Sequence, residues 1–197
     1  MNTLKAEKRS MDVKAKKLRR EGFVTGNLFG REIEGSIPLK FTKKEIEVLL
    51  KNNNKGSQVM LELDGKTYDA LIKDVDYNPL AHTVEEVDFQ ALVSNEMVHS
   101  TAEIILENEE KVLSGVLQDE LKEVAYKALP ADLVDKIKVD VAGMKIGDTL
   151  RVKDLEIAKN KNIHITTDPE AVVATVTPVH NVVPETETEA EETAEEK

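Results

Sequence analysis

Eight lysines and arginines stand against two acids in the sixteen residues from Lys5 to Arg20, in a chain whose formal net charge is -11. Cations gathered this way suit phosphate: each neutralised phosphate releases condensed counterions, so binding weakens as salt rises. Solubility needs net charge but not its segregation. Arg9, Lys14, Lys16, Lys17, Arg19 and Arg20 are spaced so that several share one face. Six such contacts would give a log-log salt slope of roughly -4 to -5.

Other chemistry finds little support. Asp74 with Asp76, and Glu85 with Glu86 and Asp88, are the residue types of a carboxylate pair or cation site. Each group lies in a strand pattern alternating with Val75, Val84 and Val87, so these carboxylates are expected to face water. His82, His99, His164 and His180 show no metal-ligand spacing. Neither a glycine-rich phosphate loop nor a nucleophile elbow occurs. Without cysteine there are no disulfides, thiolate metal sites or cysteine nucleophiles. The expectation is a non-enzyme without cofactor, metal or small-molecule substrate.

Charge changes along the chain. Residues 1–31 sum to +6, residues 32–92 to -5, residues 93–184 to -6 and residues 185–197 to -6. No run of about eighteen apolar residues and no signal-peptide pattern occurs. A soluble, cytoplasmic protein without membrane contact is expected.

The elements that must carry the cations read mainly as β. Leu4 to Arg9 predicts a strand, Lys14 to Gly22 a helical arm, and Phe23 to Phe29 and Ser36 to Phe41 two further strands. Thr42 and Glu45 predict a capping box, Phe41 and Ile46 a hydrophobic staple, and Ile46, Leu49 and Leu50 a buried helical stripe. Gln58 to Leu63 and Lys66 to Val75 flank Asp64-Gly65, a dipeptide suited to a tight hairpin. Pro79 breaks that strand, and Val84, Val87 and Phe89 belong to the next. Six short strands closing by about residue 92 predict a small barrel, which leaves no open sheet edge.

Beyond His99, strands are expected around Ala102 to Leu106, Val112 to Leu117, Lys122 to Ala128, Ile137 to Val141, Leu150 to Val152, Ile163 to Thr166 and Val172 to Val176, with one proline-opened turn at Pro130 to Val134. Two β-rich domains result, residues 1–92 and 93–180. The tail, residues 181–197, turns into Glu, Thr and Ala after Pro184 and is expected to be disordered.

Lys14-Ala15-Lys16-Lys17-Leu18-Arg19-Arg20-Glu21-Gly22-Phe23-Val24, continued by Leu28-Phe29-Gly30, resembles the opening of the bacterial large-subunit ribosomal protein that binds 5S rRNA, in its long general-stress (Ctc) form. Lys73-Asp74-Val75, Asn78-Pro79 and Val87-Asp88-Phe89 are similar to later motifs of that family. So are Ala128 to Asp132, Ile146 to Leu150 and Thr167 to Val176 in the second half. The resemblance implies a six-stranded barrel on 5S rRNA within the 50S subunit, and a second β-rich domain. It places RNA contacts on Arg9, Lys16, Lys17 and Arg19, with Asp88 orienting the site. Lys14, Arg20, Phe29, Lys73 and Glu86 complete the expected RNA-binding set.

Three departures from the family bear on that set. Phe29 replaces a tyrosine and lacks a hydroxyl, though its ring keeps the capacity to stack on a base. Glu86 replaces a histidine, and Asp76-Tyr77-Asn78 replaces a run containing glutamine, arginine and histidine. A like charge about 4 Å from a phosphate costs on the order of 4 kcal/mol at an effective dielectric near 20, before screening. The alternative is therefore a stress-related relative that has lost 5S rRNA and acts as a protein-interaction module.

Overall fold

Alternation at period two writes most of this fold. In the computed structural model, which describes residues 3–112 and 115–178, β1 (Thr3–Lys8) is followed by α1 (Ala15–Arg20), β2 (Phe23–Phe29), β3 (Ser36–Thr42), α2 (Lys43–Asn52), β4 (Gln58–Leu63), β5 (Lys66–Asn78) and β6 (Thr83–Ala91). Val59, Leu61 and Leu63 point inward from β4 while Met60 and Glu62 are less covered. Asp64 and Gly65 turn at φ 50° and 77°, the left-handed pair a two-residue hairpin requires.

The strands close as β1-β3-β2-β6-β5-β4. β1 runs parallel to β4 and β2 parallel to β6, and the remaining pairs are antiparallel. Leu28, Leu39, Phe41, Leu61, Ile72 and Phe89 fill the interior, the two phenylalanine rings 5.4 Å apart and tilted by 55°. Thr42 caps α2 through the Glu45 amide, and the Glu45 carboxylate returns to Thr42, as the sequence predicts. Ile46 and Leu49 of α2 enter the barrel core, each contributing about 1.5–3 kcal/mol by burial, and Leu50 packs at its margin. β5 runs past Val75 to Asn78, because β6 keeps pairing with it out to Thr83.

The second half builds two sheets. β7 (Val98–Glu107), β8 (Val116–Asp119), β9 (Glu123–Ala128), β10 (Lys136–Asp140), β11 (Thr149–Arg151), β12 (His164–Ile165) and β13 (Val172–Thr177) arrange as β10-β7-β9-β12 and β11-β13-β8. Of the strand expected over Val112 to Leu117, β8 holds Val116 and Leu117 and runs on to Asp119, paired with β13 from Thr177. Two 3-10 turns, Val152–Asp154 and Glu156–Lys159, bury Val152, Leu155 and Ile157 without a strand signature. Tyr126 is fully buried, its hydroxyl donating to the Val134 carbonyl at 2.6 Å and accepting from the Val134 amide at 2.8 Å. The disorder expected of the tail concerns residues outside the described ones.

The halves meet at the turn before β4. Gly56, at φ 89°, lies so close to β7 that a Cβ there would stand 1.9 Å from the Thr101 carbonyl oxygen. Beside it Asn54 donates to Glu103, Ser57 to Asp135 at 3.3 Å, and Lys73 Nζ to the His99 carbonyl at 2.8 Å.

Candidate nucleic-acid interface

The basic arm folds as one strand, a loop and a short helix, which divides its cations. Leu18 is buried and anchors α1 against β2. Lys17, Arg19 and Arg20 occupy the last turn, the end of a helix that favours positive charge. Arg9 turns its guanidinium back to the Val13 carbonyl at 3.1 Å. Lys17 lies 3.9 Å from Glu21. Lys14, Lys16 and Arg20 are exposed and have no ion-pair partner among the described residues.

Arg19 is the exception that organises the site. Its guanidinium bonds the Glu85 carboxylate and lies 3.8 Å from Glu86, with about a third of its side chain exposed. Glu85 also accepts from Asn78 Nδ2 at 2.7 Å, and its backbone carbonyl accepts from Thr25 Oγ1. Helix, β6 and the start of the β5–β6 hairpin are thereby tied together.

Beside this tie runs a wall made by the outward positions of β2, β6 and β5. Register sets Thr25 opposite Glu86 and Asn27 opposite Asp88, then Asp76 opposite Glu86 and Asp74 opposite Asp88. Like charges directly across a pair of strands are unfavourable. Asn27 relieves part of this by donating to Glu86 at 3.1 Å and to Asp88 at 3.0 Å. An open groove of about 330 Å³ lies over Asp74, Val75, Asp76, Glu86 and Asp88.

The carboxylates expected simply to face water thus divide. Asp74 and Asp76 are exposed, whereas Glu85, Glu86 and Asp88 are half-buried. Amide and guanidinium donors from β2, the hairpin and α1 hold them down. Among the described residues no three His, Asp or Glu side chains are grouped to hold a metal ion.

Phe29 ends β2 on the same outward row as Asn27, half-buried and opposite Gln90. The wall therefore has cations of α1 at one end and an aromatic ring at the other. Arg19, Glu86 and Asp88 come together here, Phe29 ends the same row, and Lys16 and Arg20 ride on the short helix that Arg19 ties to it. Lys73 does not join them. It stands at the junction with β7, its ammonium pKa pushed down first by burial and then by Lys55. Asn27 is the residue that spacing alone did not single out; its signal is polarity at the i-2 position before Phe29.

Two family profiles cover most of the chain: the Ribosomal L25p family over residues 4–89, and Ribosomal protein TL5, C-terminal domain, over residues 97–180. The large ribosomal subunit protein bL25 of Bacillus velezensis is 32% identical over 183 residues, spanning 90% of this chain and 89% of that protein. The chain belongs to the Ribosomal L25p family. Among its relatives the bL25 of Carboxydothermus hydrogenoformans is 31% identical over 190 residues, covering 92% of this chain and 94% of its own. That of Caldanaerobacter subterraneus subsp. tengcongensis is 30% identical over 196 residues, covering 98% of each. Similarity through both halves marks the long, Ctc-type form of the L25p family, as the sequence motifs predict.

Proposed function

We propose that this L25p-family chain is a non-catalytic, cytoplasmic component of the large ribosomal subunit whose barrel domain, residues 1–92, binds 5S rRNA through α1 and the outer face of β2 and β6. What carries the proposal is similarity over nearly the whole chain to proteins named for the large ribosomal subunit, on a chain that leaves Lys14, Lys16 and Arg20 exposed on and just before the helix that Arg19 ties to β6. Three phosphate contacts from these cations contribute a log-log salt slope of about -2 to -3, half of what the arm's composition suggests. Phe29 offers a ring for stacking on a base. Glu86, Asp88 and Asn27 orient one another and present acceptors to base amino groups and ribose hydroxyls.

Among the described residues no helix is long and apolar enough to cross a membrane. Gel-shift titration of the full chain with 5S rRNA tests the proposal: a shift at low salt that fades as salt rises is expected, and no shift with folded protein defeats it.

One observation favours a second reading. The groove over Asp74, Asp76, Glu86 and Asp88 is acidic where phosphate would approach. A chain that has exchanged RNA for a protein partner would be absent from 50S particles in a sucrose gradient. The ribosomal reading requires that it sediment with them.

A further inference from the structure

The second sheet carries its own row of nitrogen hydrogen-bond donors, ammonium and imidazole. Register places His99 of β7 beside Lys127 of β9, and Lys127 beside His164 of β12. The three side chains therefore stand on one face, about 5 Å from neighbour to neighbour. All three are exposed. At the β7 end, Lys73 reaches over from the barrel and donates to the His99 carbonyl at 2.8 Å. The turn leading into β12 adds exposed Lys159 and Lys161.

Charge balance sets this row apart from its surroundings. Residues 93–184 hold ten basic and sixteen acidic side chains. Lys138 has Glu107 as its partner, and Arg151 and Lys153 share Glu170. Among the described residues no carboxylate lies within ion-pair distance of Lys73 or Lys127. Asp74, next to Lys73 on β5, is held by Lys55 at 3.1 Å. The row's groups also press on one another: the His99 pKa is pushed down by lost hydration, then by Lys127 and Lys73, which favours the neutral imidazole. A strip of two ammonium groups and two imidazoles, without a paired carboxylate among the described residues, thus crosses an acidic half of the molecule at the place where that half joins the barrel.

We propose that Lys73, His99, Lys127 and His164 form a second docking surface, for the phosphate backbone of RNA. Ammonium and imidazole N–H groups in a line match a backbone whose charges recur every few ångströms, and they contact phosphate without reading bases. Lys73 belongs to this row rather than to the α1 face, which explains its separation from the arm. The row shares with the proposed function only its class of partner and uses no residue of α1.

Fluorescence anisotropy of the full chain with a labelled RNA duplex containing no 5S sequence tests this, over a series of salt concentrations. Lys127→Gln should weaken binding about fivefold to tenfold near 0.1 M salt and reduce the log-log slope by about 0.9. Lys127→Arg should restore both, and His164→Gln provides an independent second variant at an exposed position. Unchanged affinity and slope in Lys127→Gln and His164→Gln would overturn the proposal. Loss of polyglutamate binding with duplex binding intact would equally overturn it and assign the row to an acidic protein. Duplex binding that depends on Lys127 in a chain unable to bind 5S rRNA would defeat the proposed function alone.

Discussion

The α1 end of the barrel and the β7–β9–β12 row of the second sheet hold their positive charge in opposite ways. The arm is dense in cations, yet Arg19 is bound to Glu85 and Glu86, Arg9 to a carbonyl and Lys17 to Glu21. The row lies in an acidic segment, yet Lys73 and Lys127 face no partner carboxylate among the described residues. Charge density along a chain therefore overstates the charge available to a ligand when the fold brings acids from elsewhere. It understates that charge when strand register lines up isolated cations.

Breaking the arm should have the largest effect. In Lys14→Gln/Lys16→Gln/Arg20→Gln, 5S rRNA affinity should fall on the order of a few hundredfold near 0.1 M salt, about eightfold per lost phosphate contact, as read by filter binding. Next in size is a change that disturbs the meeting of the two regions. Gly56→Val puts a side chain against the Thr101 carbonyl at a left-handed φ, and should cost about 3 kcal/mol in chemical denaturation.

Releasing Arg19 sharpens the contrast from the other side. Glu85→Gln should tighten 5S rRNA binding about fivefold to tenfold and steepen the slope by about 0.9, because a guanidinium becomes free for phosphate. A looser complex would instead mean that the ion pair chiefly holds α1 in position. Stability should fall by less than about 1 kcal/mol, as for other partly exposed pairs. The smallest effect is expected of Glu86→His, a tightening of about twofold to threefold that grows below pH 6.5 as the imidazole gains its proton.

Much of this fold is legible because local rules agree with it. The Thr42–Glu45 capping box, the Asp64-Gly65 hairpin and the alternation of β4 each specify geometry within a few residues. The strand near Val116 and the 3-10 turns at Val152 and Glu156 escape such rules, since distant β13 sets the first and burial of Leu155 and Ile157 the second. The site follows the same division. That Lys14, Lys16 and Arg20 are basic and near one another is visible in sequence, but the partners of Arg19 are sixty-six and sixty-seven residues away. Likewise Asn27 gains its role only when parallel pairing with β6 sets it opposite Asp88.

The measurement closest to the central claim is the salt dependence of 5S rRNA binding for the unaltered chain and for the Lys14→Gln/Lys16→Gln/Arg20→Gln variant, compared on one log-log plot. If the cations left unpaired by the fold hold the RNA, the two slopes differ by about 2 to 3. Equal slopes, or an unaltered chain that binds no 5S rRNA at low salt, would contradict it.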